Sequence, residues 1–367
     1  MAVNPLVRLG ALGQSPWYDF ITRDLLRSGE LRRLIDEDGL QGMTSNPTIF
    51  EKAIRSSRLY DEEIRLGIAR GESPARVFET LAIADVRAAC DIFRPLYDAS
   101  DGRHGLVSIE CNPHLARETQ ATIEEARRLW SAVDRPNVMI KIPGTREGLP
   151  AIGRCLADGL NVNITLLFST ARYEEVIEAY VRALEGRQIR GLPVDRIASV
   201  ASFFVSRVDT KVDARLAEIG DPKGLRGKIA IANACTAYAA FLGSLEHPRW
   251  ARLAGAGAAT QRPLWASTST KDPRYSDVHY VEALVAPDTV NTMPPETFEA
   301  YRDHGRPQVR IYDGIVSAPA HLRALADAGI DLARVTDELE DEGVAKFAAS
   351  YDAVLEAIES KAGALAR

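Results

Sequence analysis

Residues 159–169 read GLNVNITLLFS. Asn161, Asn163 and Thr165 alternate with Leu160, Val162 and Ile164. Successive side chains of a strand point to opposite faces, so three polar groups converge on one side and three aliphatic groups on the other. The dense aliphatics predict a face packed under helices. The polar set is then expected to face the inside of a closed sheet, towards its C-terminal mouth. A solvated face or an edge strand is the plainer alternative for this stretch taken alone.

The feature recurs. GLVSIECNP, 105–113, puts Ser108 and Glu110 on one face and Val107 and Ile109 on the other. GLQGMTSNPTIF, 39–50, ends a strand with Thr44 and Asn46 in phase. Pro47 then suits a first helical position, where its missing N–H costs nothing. SVASFFVSRVD, 199–209, delivers Ser202 and then Arg207 at a strand end. In PNVMIKIP, 136–143, Val138, Ile140 and Ile142 share one face, while Met139 and Lys141 share the other. Lys141 is therefore expected to point inward.

Short apolar runs near 17–21, 40–44, 105–110, 138–142, 160–165, 197–202, 264–267 and 281–285 are the candidate strands. Amphipathic stretches lie between most of them. In ARYEEVIEAYVRALE, 171–185, Tyr173, Val176, Ile177, Tyr180 and Leu184 fall on one helical face. Strand followed by helix, repeated, predicts a parallel sheet of the α/β class. About eight such units point to a (β/α)8 TIM barrel, which uses roughly 250 residues plus insertions. One domain over residues 1–367 is expected, with a C-terminal helix packed on the barrel through Val344, Phe347, Tyr351, Val354, Leu355 and Ile358. The rival is an open doubly wound sheet. It often carries a glycine-rich phosphate loop, and neither GxGxxG nor GxxxxGK[ST] occurs here.

Composition narrows the function. A chain 46% hydrophobic and 26% charged is ordinary globular material. A net charge of -6 without a long basic run argues against nucleic acid as a partner, and leaves an anionic substrate to be held by local cations. No run of 18 consecutive apolar residues occurs, and the N-terminus lacks a signal-peptide layout, so no membrane and a cytoplasmic location are expected. The 4 cysteines form no CxxC pair and read as reduced, buried thiols. The 6 histidines show no HExxH spacing, so no metal is expected.

A lysine inside a barrel has two readings. One is an ion pair with Glu110, purely structural. The other rests on nucleophilicity: burial disfavours an ammonium, and a neutral amine can form an imine with a carbonyl. That chemistry needs carboxylates for proton transfer, and Glu110 and Asp19 stand at neighbouring strand ends.

Five segments together resemble the transaldolase family. They are MTSNPTIFEKAI (43–54), VMIKIPGTREGLPAI (138–152), LNVNITLLFS (160–169), SVASFFVSRVDTKVD (199–213) and RPLWASTSTKDPRYSDVHYVEALVAPDTVNTMPPET (262–297). The resemblance runs from about Trp17 to the last helix, and its longer insertions are similar to those of the long bacterial subgroup. It implies a class I aldolase-type barrel. The implied reaction transfers a dihydroxyacetone unit reversibly from sedoheptulose 7-phosphate to glyceraldehyde 3-phosphate, in the pentose phosphate pathway, with no cofactor. It implies Lys141 as the Schiff-base amine, Glu110 acting through a water held by Thr165, and Asp19 as the base for the C4 hydroxyl. Asn46, Asn163 and Ser202 would hold the three-carbon fragment, and Arg207 the phosphate. Lys271 is the match for a second phosphate group that is often arginine in the family. Ser206 stands where many members have glycine, and WYDFITRD (17–24) is the least similar segment. Fructose 6-phosphate aldolases are close relatives that tend to carry tyrosine at Phe204 and lack the Glu110 carboxylate, so this pair favours transfer. A Schiff-base aldolase of that type and a non-catalytic sugar-phosphate-binding barrel are the alternatives. The expected partners are sugar phosphates and, as an assembly, a homodimer.

Overall fold

The computed structural model describes residues 4–365. Eight parallel strands close into a barrel in chain order: β1 Gln14–Asp19, β2 Gly42–Thr44, β3 Leu106–Glu110, β4 Val138–Pro143, β5 Val162–Leu167, β6 Ser199–Phe204, β7 Arg262–Ala266 and β8 Thr289–Met293. β8 pairs back onto β1, with Trp17 beside Thr292. Helices separate the strands, and the expected (β/α)8 architecture is present.

Register explains why the polar face converges. Glu110 lies beside Lys141, and Lys141 beside Asn163, on three consecutive strands. Val107, Ile109, Val138, Ile140, Ile142, Val162 and Ile164, the other phase of those strands, are buried under the helices. Gly42 has no substitute at its position. A Cβ there would meet the buried Trp17 indole at 2.3 Å.

Three sequence expectations need correction. The run 281–285 is not the eighth strand. Residues His279–Ala283 form a short helix whose Tyr280 and Val281, with Leu284 just beyond, are buried. The strand lies at Thr289–Met293, where Thr289, Asn291 and Thr292 interrupt the aliphatic pattern. β1 likewise begins earlier than expected, because Gln14, Ser15 and Pro16 do not look like strand material. The buried Gln14 amide donates to Leu284 O at 2.7 Å and to Thr289 Oγ1 at 3.0 Å, which is what permits a polar residue there. Finally, Asn161 does not point to the mouth. Its amide donates to Pro136 O and Val138 O, and its oxygen accepts from Ala198 N, so it ties together the N-terminal ends of the neighbouring strands.

The last helix, Leu332–Leu365, runs from the Ser206–Glu218 helix to those at Pro47–Ser56 and Asp61–Ala69. Phe347, Val354 and Ile358 are buried along it, and Val344, Tyr351 and Leu355 partly so. Gly343 lets it approach the end of β5, since a Cβ would stand 3.0 Å from Leu166 Cδ2. Leu166 itself has φ 59°, at a register shift between Ile164 and Leu167. A left-handed leucine is strained, and such bulges commonly re-aim a side chain near a site.

One helix, Ile229–Glu246, is long and apolar enough by composition to cross a membrane. Here half of it is buried, and Asn233 on it donates to Phe168 O at 2.7 Å. All four cysteines are buried and unbridged.

Candidate active site

The C-terminal ends of the strands enclose a cavity of about 430 Å³. Lys141 sits at its base, 5% exposed. Its Nζ donates to Ser45 O at 3.2 Å and stands 3.5 Å from Glu110 Oε2. Both side chains of that pair are almost wholly buried. Burial pushes the Glu110 carboxyl up to about 7, against the opposing pull of Lys141. Its other oxygen, Oε1, is buried without a partner, and so is Thr165 Oγ1. Two orphaned polar atoms beside a buried amine are the setting a bound water would complete.

Asp19 lines the same cavity. Its Oδ1 accepts from Thr44 Oγ1 at 2.6 Å, and Thr44 in turn lies 2.7 Å from Thr292 Oγ1. Oδ2 has no hydrogen-bond partner among the described residues and is left for a ligand. Burial raises the pKa of Asp19, while the Lys141 charge and the Thr44 hydroxyl pull it down.

Asn46 is the N-cap of the Pro47–Ser56 helix, where its Oδ1 accepts from Ile49 N at 3.1 Å. Its amide N–H groups remain available to the cavity. Ser202 also lines the cavity, and its hydroxyl donates to Asn163 Oδ1 at 2.6 Å. Asn163 is fully buried beneath. Its Nδ2 donates to Ser108 Oγ at 2.9 Å, so both ends of its amide are held by the barrel itself. Glu110 and Asn163 thus flank Lys141 but do not line the open cavity, whereas Lys141, Asp19, Thr165, Asn46, Ser202, Phe204, Arg207 and Lys271 do.

Arg207 is the second residue of the helix Ser206–Glu218, which follows β6 after Val205. Its guanidinium lies 5.0 Å from the Phe204 ring centroid and 5.8 Å from that of Phe347. Burial lowers its pKa, while Glu110 and Asp19 support the charge. Lys271 donates to Ser269 Oγ at 2.7 Å, and burial lowers its pKa too. Lys52 and Lys346, exposed at the rim, bring further positive charge near it.

Sequence reasoning missed Lys52, Lys346, Thr292 and the site-facing role of Phe347. Phe347 was visible as one member of an apolar helical stripe. Nothing local to AKFAAS says that this helix crosses the barrel mouth.

A family model described as transaldolase/fructose-6-phosphate aldolase matches residues 16–358. The chain belongs to that family. It is 51% identical to a transaldolase of Acidothermus cellulolyticus, over 97% of this chain and 96% of the relative. It is 50% identical to a transaldolase of Parafrankia sp. (strain EAN1pec), over 99% of each. With transaldolase 2 of Nostoc sp. (strain PCC 7120) it shares 47% identity over 98% of each. In this chain Lys141, Asp19, Thr165, Asn46, Ser202, Phe204, Arg207 and Lys271 meet at one cavity, with Glu110 buried beside Lys141.

Proposed function

We propose that this chain is an enzyme with transaldolase activity, moving a dihydroxyacetone unit between sugar phosphates through a Schiff base on Lys141. The observation that carries the reading is a single buried amine at the floor of a polar cavity, 3.5 Å from a carboxyl with a pKa raised to about 7. Nζ attacks the C2 carbonyl of the donor ketose, and the carbinolamine loses water with Glu110 moving the proton through a water that Thr165 holds. The protonated imine is an electron sink. When Asp19 takes the C4 hydroxyl proton, the C3–C4 bond breaks, its electrons become an enamine, and the aldose leaves. Asn46 and Ser202 hold the remaining fragment, with Asn163 fixing Ser202 from below, until an acceptor aldehyde arrives and the steps reverse. Arg207 and Lys271 anchor the phosphate. The setting we propose is the pentose phosphate pathway in the cytoplasm.

The test is a coupled assay with fructose 6-phosphate and erythrose 4-phosphate, alongside borohydride trapping with fructose 6-phosphate alone. Glyceraldehyde 3-phosphate formation and an adduct on Lys141 are expected. No adduct on the wild-type chain would leave a binding-only barrel. Free dihydroxyacetone released as fast as donor is consumed, without acceptor, would instead mean simple aldol cleavage.

Glu110 gives the reaction a pH signature. Attack requires a proton to leave Nζ, and Glu110 can take it only as a carboxylate. With its pKa raised to about 7, that form appears as pH rises through neutrality. kcat/KM should therefore climb with pH on a limb near 7. Glu110→Gln should remove the limb and slow transfer by about 10²–10⁴-fold, the usual worth of a positioned acid–base group. A limb that persists in the variant would assign the titration elsewhere.

Lys271→Ala should raise KM for phosphorylated donors by about 10–100-fold, the worth of a charged hydrogen bond, and change kcat little. Steady-state kinetics with fructose 6-phosphate checks this.

A further inference from the structure

The opposite end of the barrel holds a second polar cavity, of about 100 Å³, at the N-terminal ends of β3, β6 and β7. Arg262, the first residue of β7, lines it and is only 4% exposed. Its guanidinium donates to Ser15 Oγ at 2.8 Å and to Arg103 O at 2.9 Å. Those bonds use two of its N–H donors, and a guanidinium has five. No carboxylate among the described residues forms an ion pair with it. Asp288 is taken by Arg103 at 2.6 Å, and Asp101 by Arg196 at 3.0 Å. Asp195, the remaining carboxylate lining the cavity, is exposed. His104, whose Nδ1 lies 3.4 Å from Ser15 Oγ, is pushed down to about 4 by burial and by Arg262 and Arg103, and so is neutral at pH 7.

A buried cation in no ion pair, helped only through space by an Asp288 that Arg103 already holds, is costly, and the cost is reduced by an anion that can accept from the fork. Burial and the neighbouring Arg103 push Arg262 down to about 9, far below an ordinary arginine, against the pull of Asp288. We propose that this basal cavity binds a small free oxyanion, of the size and charge of inorganic phosphate, on the free N–H donors of Arg262 with Arg103 and Arg196 beside it. The volume selects the occupant. At about 100 Å³ against about 430 Å³ for the cavity above Lys141, it suits one tetrahedral oxyanion better than a whole sugar phosphate. The site lies outside the catalytic machinery, so its occupant acts on stability and not on transfer.

Inorganic phosphate is the probe. Phosphate binding by calorimetry, and melting temperature against phosphate concentration, would be measured on the full chain and on Arg207→Ala/Lys271→Ala, which lacks the anion-holding groups of the upper cavity. The wild type should bind two equivalents and the double variant one, with a melting temperature that still rises by several degrees as phosphate is added, because a ligand of the folded state stabilises it. Adding Arg262→Met should abolish the remaining equivalent. Arg262→Lys, which keeps the charge without the fork, should weaken it by about tenfold. Arg262→Lys alone should keep full transfer activity. A double variant that binds no phosphate and melts at the same temperature throughout overturns the proposal, with no need for an Arg262 variant that folds. Fructose 6-phosphate displacing phosphate from the double variant that also carries Lys141→Ala, at equal concentration, would overturn the free-oxyanion assignment.

Discussion

Lys141→Ala should abolish transfer and borohydride trapping together while leaving a folded barrel. The loss expected in kcat is on the order of 10⁴–10⁶-fold, the scale seen when a covalent nucleophile is deleted. Nothing nearby can replace it. Lys271 is tied to Ser269, and Lys52 and Lys346 stand exposed at the rim, so no other amine shares the floor of the cavity with Glu110. The fold should survive because the bereaved partner can change its charge. Lys141 is the main influence lowering the Glu110 pKa. Without it, burial and the Asp19 charge are opposed only by Arg207, and the carboxyl stays protonated to higher pH than in the wild type. Glu110 then binds its proton more tightly folded than unfolded. Its contribution to stability is full below the ordinary carboxylate range and declines as pH rises towards the folded value, which in the variant lies above about 7. Melting temperatures of Lys141→Ala should therefore fall more steeply than those of wild type from pH 5 to pH 8. An unchanged trapping yield in Lys141→Ala would refute the assignment of the amine.

Much of this site could be read before any coordinates, and the reason is geometric. Strand alternation has a period of two, and parallel pairing without slippage sets Glu110, Lys141 and Asn163 side by side. Lys141, Glu110 and Thr165 were therefore legible as inward groups from their aliphatic neighbours alone. What alternation does not give is height along the barrel axis. Asn161 shares the phase of Asn163 and Thr165 yet serves the opposite end, bonding backbone at Pro136, Val138 and Ala198. It also fails where polar residues fill a strand. Thr289, Asn291 and Thr292 hid β8, and the denser run at 281–285 drew attention to a turn of helix. Contributions carried by a path through space left no local trace. Lys346 and Phe347 reach the mouth on a helix that Gly343 lets lie close against Leu166.

Asp19→Asn should separate the two halves of the reaction. Asparagine keeps the size of the side chain and an oxygen for the Thr44 hydroxyl, so the 2.6 Å hydrogen bond and the Thr292 contact behind it have no reason to break. What is lost is the ability to take a proton at Oδ2. Imine formation at Lys141 does not use that atom in the proposed mechanism, because Glu110, 3.5 Å from the amine, and Thr165 serve dehydration. C3–C4 cleavage does use it, since the bond cannot break until the C4 hydroxyl gives up its proton. Transfer should fall by about 10²–10⁴-fold, and borohydride should still trap fructose 6-phosphate on Lys141 in near wild-type yield. The buried position sharpens the contrast. Burial raises the Asp19 pKa, which makes it a stronger base than an exposed carboxylate, and the positive charge at Lys141, as ammonium or as protonated imine, keeps part of that gain in check. Loss of trapping and of transfer in equal measure would mean that Asp19 supports substrate binding or the barrel's shape, and that the base for the C4 hydroxyl is a different group.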